Sequence, residues 1–597
     1  MEAQTKNCQN CKTQFTIEPD DFAFYEKIKV PPPTFCPECR LVRRLAWRNE
    51  RALYKRKCNL CGQDKILMFP EGSPFTAYCR ECWWSDKWDS SSYGKDVDFS
   101  KPFLIQFSEL LRTVPRIGNL KQGNIVESDY TNRVSDLRNC YLLYGSNLNE
   151  NCRYGSWMND AKECMDGYNV QKSEQCYECV DCAGCYNLSF SQECASCSNS
   201  RFLFNCRNCE SCFGCVNLRS KSYCIFNKQY SKEDYQKLTA KFDTGSALVL
   251  EGLKSKFAAL RSRAVVPSIV THHSSEISGN WIEGANNAKI AFNCSNVEDV
   301  KYAFSLIEAK DSMDYCHWGR GTEQVYESIN VGRQCSKIMM CSECWDQNHD
   351  LQYCLNCHTS SYLFGCIGLR NKQYCILNKQ YTKEEYEQLL PRLIRHIDIM
   401  PYRDAKERED RHGEFFPPEL SPFAYNETIA QEFFPTSKEA ATAQGYSWKE
   451  PESKQYVPTL TAEGLPDHIR EANDSITKEI IQCAHEGNCN EQCTTAFRVI
   501  PAELEIYRRL NVPLPRLCPN CRHYIRLKQR NPLRLRQGRC ACAGAKALPQ
   551  QNTGFEYRNT VAHSHGAVPC PSKFETTYPI GGREIVYCEQ CYQAEVA

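Results

Sequence analysis

Cys176-Tyr177-Glu178-Cys179-Val180-Asp181-Cys182-Ala183-Gly184-Cys185 places four cysteines three residues apart, and the spacing returns thirty residues on at Cys206, Cys209, Cys212 and Cys215. Asn-Leu stands one residue past each quartet, at Asn187-Leu188 and Asn217-Leu218. Upstream, Cys140, Cys152, Cys164 and Cys176 recur every twelve residues, and so do Cys182, Cys194 and Cys206. Fixed periods filled with Asn, Gly, Ser and Tyr predict short strands and turns winding into a β-solenoid, in which equivalent side chains stack along the axis. Cysteine, small and weakly polar, then forms a buried ladder in the core.

A second copy lies 151 residues further on. Phe213-Gly214-Cys215 becomes Phe364-Gly365-Cys366, Tyr223-Cys224-Ile225 becomes Tyr374-Cys375-Ile376, and Asn227-Lys228-Gln229-Tyr230 becomes Asn378-Lys379-Gln380-Tyr381. Ser231 and Thr382 then open Lys/Glu-rich segments as hydroxyl N-caps of helices that close each solenoid. Zinc and an iron–sulfur cluster are the rival readings of the quartet Cys176 to Cys185. It lacks the closing C-x3-C-P of a ferredoxin run, and the second copy has Ser360 and Leu363 between Cys357 and Cys366. No four-ligand site is therefore common to both copies, and the buried ladder leads.

Outside the solenoids the cysteines change style. Cys8, Cys11, Cys36 and Cys39, then Cys58, Cys61, Cys79 and Cys82, are two successive C-x2-C…C-x2-C sets. Two tight knuckles can present four thiolates tetrahedrally to one zinc ion, closing a site without a large core. A gapless shift of 482 superimposes Cys11 on Cys493, Tyr25 on Tyr507, Cys36 on Cys518, Cys39 on Cys521, Arg40 on Arg522, Arg44 on Arg526, Arg48 on Arg530 and Cys58 on Cys540. Tyr78-Cys79-Arg80-Glu81-Cys82 returns, after an insertion, as Tyr587-Cys588-Glu589-Gln590-Cys591. Both ends are one tandem module, and the second copy offers Cys489, Cys493, Cys518 and Cys521, then Cys540, Cys542, Cys588 and Cys591, for about four zinc ions in all. Cys489 is one residue off register and Cys540/Cys542 are separated by one residue instead of two, so Cys483, Cys570, His563 and His565 stand as substitute ligands.

The chain carries a net charge of only +1, but its positive charge is segregated. Arg40 to Lys57 sums to +7 and Arg508 to Arg539 to +10, leaving −16 on the rest. Read as helix, Arg40, Arg44, Arg48, Arg51 and Lys55 share one face, with Trp47 and Tyr54 nearby, and Arg522, Arg526 and Arg530 repeat the stripe until Pro532. Guanidinium forks suit phosphates and aromatic rings stack on unpaired bases, which points to nucleic acid, with RNA slightly favoured over DNA. The opposing reading is that the arginines only compensate thiolate charge, and the chain is a scaffold for protein partners.

The 41 cysteines in C-x2-C pairs suit metal in a reducing cytoplasm rather than a secreted disulfide scaffold. Residues Met1 to Lys12 carry no signal-peptide core, and no stretch approaches the roughly 18 apolar residues of a membrane span. No nucleophile–base pair or open His/carboxylate metal site is spaced for catalysis, so no enzyme is expected. Between 400 and 480 the aromatics Phe415, Phe416, Phe423, Tyr425, Phe433 and Phe434, set among prolines, read as a clasp docked on the domains.

At Phe35-Cys36-Pro37-Glu38-Cys39-Arg40, Arg48-Asn49-Glu50-Arg51-Ala52-Leu53-Tyr54, Cys82-Trp83-Trp84-Ser85-Asp86-Lys87-Trp88 and Leu420-Ser421-Pro422-Phe423, the chain resembles a family of large uncharacterised bacterial zinc-ribbon proteins of the candidate-phylum type. Some members carry a CaiB/BaiF CoA-transferase label, which no cofactor-binding pattern or catalytic acid in this chain supports. The resemblance implies architecture and lineage, not an activity. The expected fold is mainly β and multidomain: tandem zinc ribbons over 1–95, a cysteine-rich β-solenoid over 120–230, a helical connector over 231–265, a second β-solenoid over 270–381, a helix and aromatic/Pro-rich connector over 382–480, and tandem zinc ribbons over 483–597.

Overall fold

A computed structural model of the chain describes residues 2–450, 457–543, 548–549, 556–579 and 584–596. From Lys121–Val126 to Lys228–Gln229, thirteen short strands join one sheet. Its parallel partners sit twelve residues apart, as in Asn147 opposite Asn159 and Leu203 opposite Cys215. Every third residue from Glu127 to Phe226 is left-handed, with φ between 46° and 67°. A coil of twelve residues is thus a square of four three-residue sides, each turned by one left-handed corner. Such a corner costs an ordinary L-residue about 1–2 kcal/mol, and Asn or Asp least. Asparagines at these corners repay part of that by bonding to the next coil, Asn139 Nδ2 to Asn151 Oδ1 at 2.7 Å and Asn205 Nδ2 to Asn217 Oδ1 at 2.8 Å.

The residue after each corner points inward. All fourteen cysteines from Cys140 to Cys224 occupy that one phase and are buried, together with Val134, Leu137, Leu143, Val170 and Leu188. Each thiol is anchored to the main chain: Cys179 Sγ donates to the carbonyl of Tyr177 at 3.5 Å, Cys182 to Val180 at 3.4 Å and Cys185 to Ala183 at 3.3 Å. The quartet therefore takes the four sides of one coil, one thiol per side, as part of the ladder.

A second solenoid runs from Thr271–His272 to Lys379–Gln380. Its register is twelve at Glu298 opposite Lys310, thirteen at Met313 opposite Tyr326, and twelve again at Ser361 opposite Gln373. Three enlarged coils, 313 to 326 to 339 to 352, account for a copy offset of 148 before them (Tyr154 to Tyr302, Asp166 to Asp314) and 151 after. Each solenoid ends in an antiparallel hairpin and then a helix, Lys232–Thr239 and Lys383–Ile399. Ser231 and Thr382 cap these helices by accepting from the amides of Asp234 and Glu385.

The connector aromatics pack as a clasp. Phe416 stacks on Phe107 at 4.9 Å and lies 4.7 Å from Trp47, Phe423 stacks on Phe69, and Phe433 stacks on Trp157. Trp157, on the first solenoid, also touches Phe304 of the second, so the clasp sits where the two solenoids meet. Among the described residues, no helix is long and apolar enough to cross a membrane.

Candidate metal centres

Four modules share one local plan. A short strand leads into the first cysteine: Gln4–Asn7 before Cys8, Tyr54–Lys57 before Cys58, Ile481–Gln482 before Cys483 and Arg536–Arg539 before Cys540. The third cysteine then opens a helix, as Cys36 does for Pro37–Leu45, Cys79 for Arg80–Trp83 and Cys518 for Pro519–Leu527, with Cys588 just before Glu589–Val596. Its amide donates to the first thiol in every module: Cys36 to Cys8 and Cys79 to Cys58 at 3.2 Å, Cys518 to Cys483 at 3.3 Å, Cys588 to Cys540 at 3.2 Å. A thiol on a helix N-terminus and under an amide is poised to ionise, and the thiolate is the metal ligand.

The sulfurs converge. Cys8, Cys11, Cys36 and Cys39 lie within 4.8 Å of one another, as do Cys58, Cys61, Cys79 and Cys82, then Cys483, Cys493, Cys518 and Cys521, and finally Cys540, Cys570, Cys588 and Cys591. A tetrahedron of zinc–sulfur bonds has edges of about 3.8 Å. The sulfur separations match, 3.7 Å for Cys11 to Cys36, 3.9 Å for Cys483 to Cys521 and 3.8 Å for Cys570 to Cys588. Burial raises the Cys58 thiol, but main-chain amides of Cys61 and Cys79 bring it down to about 7. Cys570 also falls to about 7, where hydrogen bonds from Ser572 outweigh burial.

Two of the expected carboxy-terminal ligands change places. Cys483, which follows its hairpin strand as Cys8 does, fills the first position of the third module, and Cys489 stands beside that set with its sulfur 3.8 Å from Cys521. In the fourth module Cys570 takes the second position. Cys542 turns instead to a separate group with His563, His565 and Cys591. The sequence signal for both exchanges is the strand before the first cysteine, which fixes where a knuckle begins even when the second ligand arrives from a longer loop.

No protein-family model matches the chain, and neither does any curated protein. The functional reading therefore rests on its own residues.

The stripe arginines on the two helices are not where a phosphate could reach them. The helices end at Leu45 and Leu527, so Arg48, Arg51 and Lys55 do not continue the first face, and Arg530 lies past the second. Arg40 and Arg44 are 2% and 0% exposed, Arg522 and Arg526 6% and 3%. They grip the solenoids: Arg40 pairs with Asp314 at 2.8 Å and Arg44 with Asp314 at 3.1 Å and with Glu327, while Arg522 and Arg526 pair with Asp166 at 2.9 and 2.8 Å. Arg530 pairs with Asp181 at 2.8 Å, Arg48 with Glu50, and Arg51 covers Tyr144. Of the eight, Lys55 alone is exposed, in the strand Tyr54–Lys57. The carboxylate partners of Arg40, Arg44, Arg522, Arg526 and Arg530 include solenoid residues, and Arg44 Nε also donates to the Cys316 thiol at 3.3 Å.

Both clamps are copies of one interface. Arg40 lies over Tyr302 and Arg522 over Tyr154, at 4.9 and 4.7 Å. Tyr302 donates to Asp21, and Tyr154 to the equivalent Glu503. The amino-terminal helix thus docks on the second solenoid and the carboxy-terminal helix on the first. The last knuckle strands cross over in turn, Tyr78 pairing with Ile117 before the first solenoid and Tyr587 with Pro267 before the second. Each tandem module bridges both solenoids.

Proposed function

We propose that the chain is a non-enzymatic zinc-dependent scaffold, in which tandem zinc ribbons at the two ends lock a pair of solenoids into one platform for protein partners. The supporting observation is the buried arginine clamp. Six of the eight residues that suggested a polyanion site are paired with carboxylates, four of them on the two ribbon helices that hold the solenoids. Thiolate sets of four are closed, structural sites, and their metal contributes folding energy directly. Repeat proteins use their long regular faces to bind partners, and these solenoids supply two.

The test is a binding titration of the metal-loaded chain against generic single-stranded RNA and duplex DNA across a salt series. Neither should bind with a steep salt slope, because counterion release needs free cations at the phosphates. Salt-sensitive binding that Lys55→Ala weakens would return the protein to the nucleic-acid class.

A further inference from the structure

The fourth module contains more donors than one ion can use. Beside Cys540, Cys570 and Cys588, the thiol of Cys591 also belongs to the group formed with Cys542, His563 and His565, whose ligand atoms lie within 4.8 Å of one another. Cys542 Sγ is 3.0 Å from His563 Nδ1 and 3.3 Å from His565 Nε2, and Cys591 Sγ is 3.3 Å from the same Nε2.

The outer partners set the tautomers. His563 Nε2 faces the Glu595 carboxylate at 3.0 Å, so it carries the proton and leaves Nδ1 a lone pair toward Cys542. His565 Nδ1 faces the Val568 carbonyl at 2.7 Å, so Nε2 is the lone pair. Both are the second contacts that metal-bound imidazoles make. Asn559 donates to Cys542 Sγ at 3.0 Å, which suits a thiolate. Two imidazole lone pairs and two sulfurs converge on one point, and a cation resolves that convergence.

The chain supplies this set by insertion. Seventeen residues separate Cys61 from Cys79, but 45 separate Cys542 from Cys588, and the added length brings His563, His565 and Cys570. Cys570 completes the four-thiolate set, which frees Cys542 for the imidazoles.

We propose that the carboxy-terminal module is dinuclear, with one zinc ion on four thiolates, a second on Cys542, His563 and His565, and the Cys591 thiolate bridging the two. Five thiolates against two divalent ions carry one excess negative charge, compared with two for a lone four-thiolate site. The inference rests on the zinc reading of the modules and adds a site to it.

Metal-to-protein ratios of the purified full chain test it. The double variant His563→Ala/His565→Ala should lose one ion per chain relative to wild type, while His565→Cys, which restores a donor, should lose none. Loss of one ion in the first and none in the second supports the site; an unchanged ratio in the double variant overturns it, and so does an equal loss in both. Bridging is read separately in cobalt-substituted protein. Two thiolate-bridged cobalt ions couple, so the paramagnetic signal should fall short of the cobalt count in wild type and match it in the double variant. A signal matching the count in wild type removes the bridge. If Cys8→Ser, Cys58→Ser and Cys483→Ser each lose an ion but the histidine variants do not, only the dinuclear site falls. If wild type binds no metal, the zinc reading falls with it.

Discussion

Asp166 and Asp314 each hold two arginines and are wholly buried. Removing one member of such a pair leaves a desolvated charge, which costs about 3–5 kcal/mol. The double variant Arg522→Ala/Arg526→Ala, which strips Asp166 of both partners, should therefore lower the unfolding free energy from urea titrations by at least that much. Arg40→Ala/Arg44→Ala should match it at the other clamp, where Asp314 and Glu327 lose both arginines, and a loss below about 1 kcal/mol, typical of exposed pairs, would show the clamp to be solvated. His412 gives a pH-dependent counterpart. Burial lowers its imidazole to about 4, and the ring meets Gln352 Oε1 at 3.1 Å. The folded state then refuses a proton that the unfolded state accepts, so stability falls as pH drops from about 6.5 toward 4, by up to about 1.4 kcal/mol per pH unit for one site. His412→Gln should flatten that slope in denaturation series taken across this window and leave stability near pH 7.5 little changed.

At the scale of elements, one substitution separates the two kinds of cysteine. Ladder thiols and ladder hydroxyls do the same job. Ser191 Oγ donates to Ser189 O at 2.9 Å and accepts from Leu203 N at 3.0 Å, while Cys164 Sγ donates to Lys162 O at 3.2 Å and accepts from Cys176 N at 3.4 Å. Cys164→Ser should thus cost no more than about 1 kcal/mol, one hydrogen bond's worth, and leave metal content unchanged. Cys58→Ser should release one ion per chain and expose its knuckle, because a serine hydroxyl does not ionise at neutral pH. Metal analysis beside a thermal melt of each variant decides it. The ladder was legible in the sequence as periods of twelve and thirty, yet the deeper rule is three, since each pair of the fourteen cysteines is separated by a multiple of three. That rule identifies the square coil, because a left-handed corner at every third residue is what keeps one phase inward. Propensity hides it: Tyr154, Trp157, Phe190 and Phe202 occupy corners that local preference would give to Asn or Gly, and tertiary packing overrides the preference.

For the whole molecule, the duplications at 482 and 151 were visible as sequence, but their assembly was not. Arg40 pairs with a residue 274 positions away and Arg526 with one 360 away, and nothing in a charge pattern tells whether a basic stripe meets phosphate or a buried aspartate. The deficit of −16 outside the basic segments was the available clue, since opposite charges segregated along a chain can meet in its core. If metal holds the four cysteine modules as proposed, while main-chain ladders hold the solenoids, chelation should separate the two. A chelator that strips the modules should release Pro37–Leu45 and Pro519–Leu527 from the solenoids and expose Arg40, Arg44, Arg522 and Arg526 to trypsin. Mass spectrometry of short digests should then show cleavage at those arginines well before cleavage within 120–230 or 270–381, and re-addition of zinc before trypsin should suppress it. Simultaneous loss of the solenoids would mean that their thiols also depend on metal, reversing the assignment of the ladder as core.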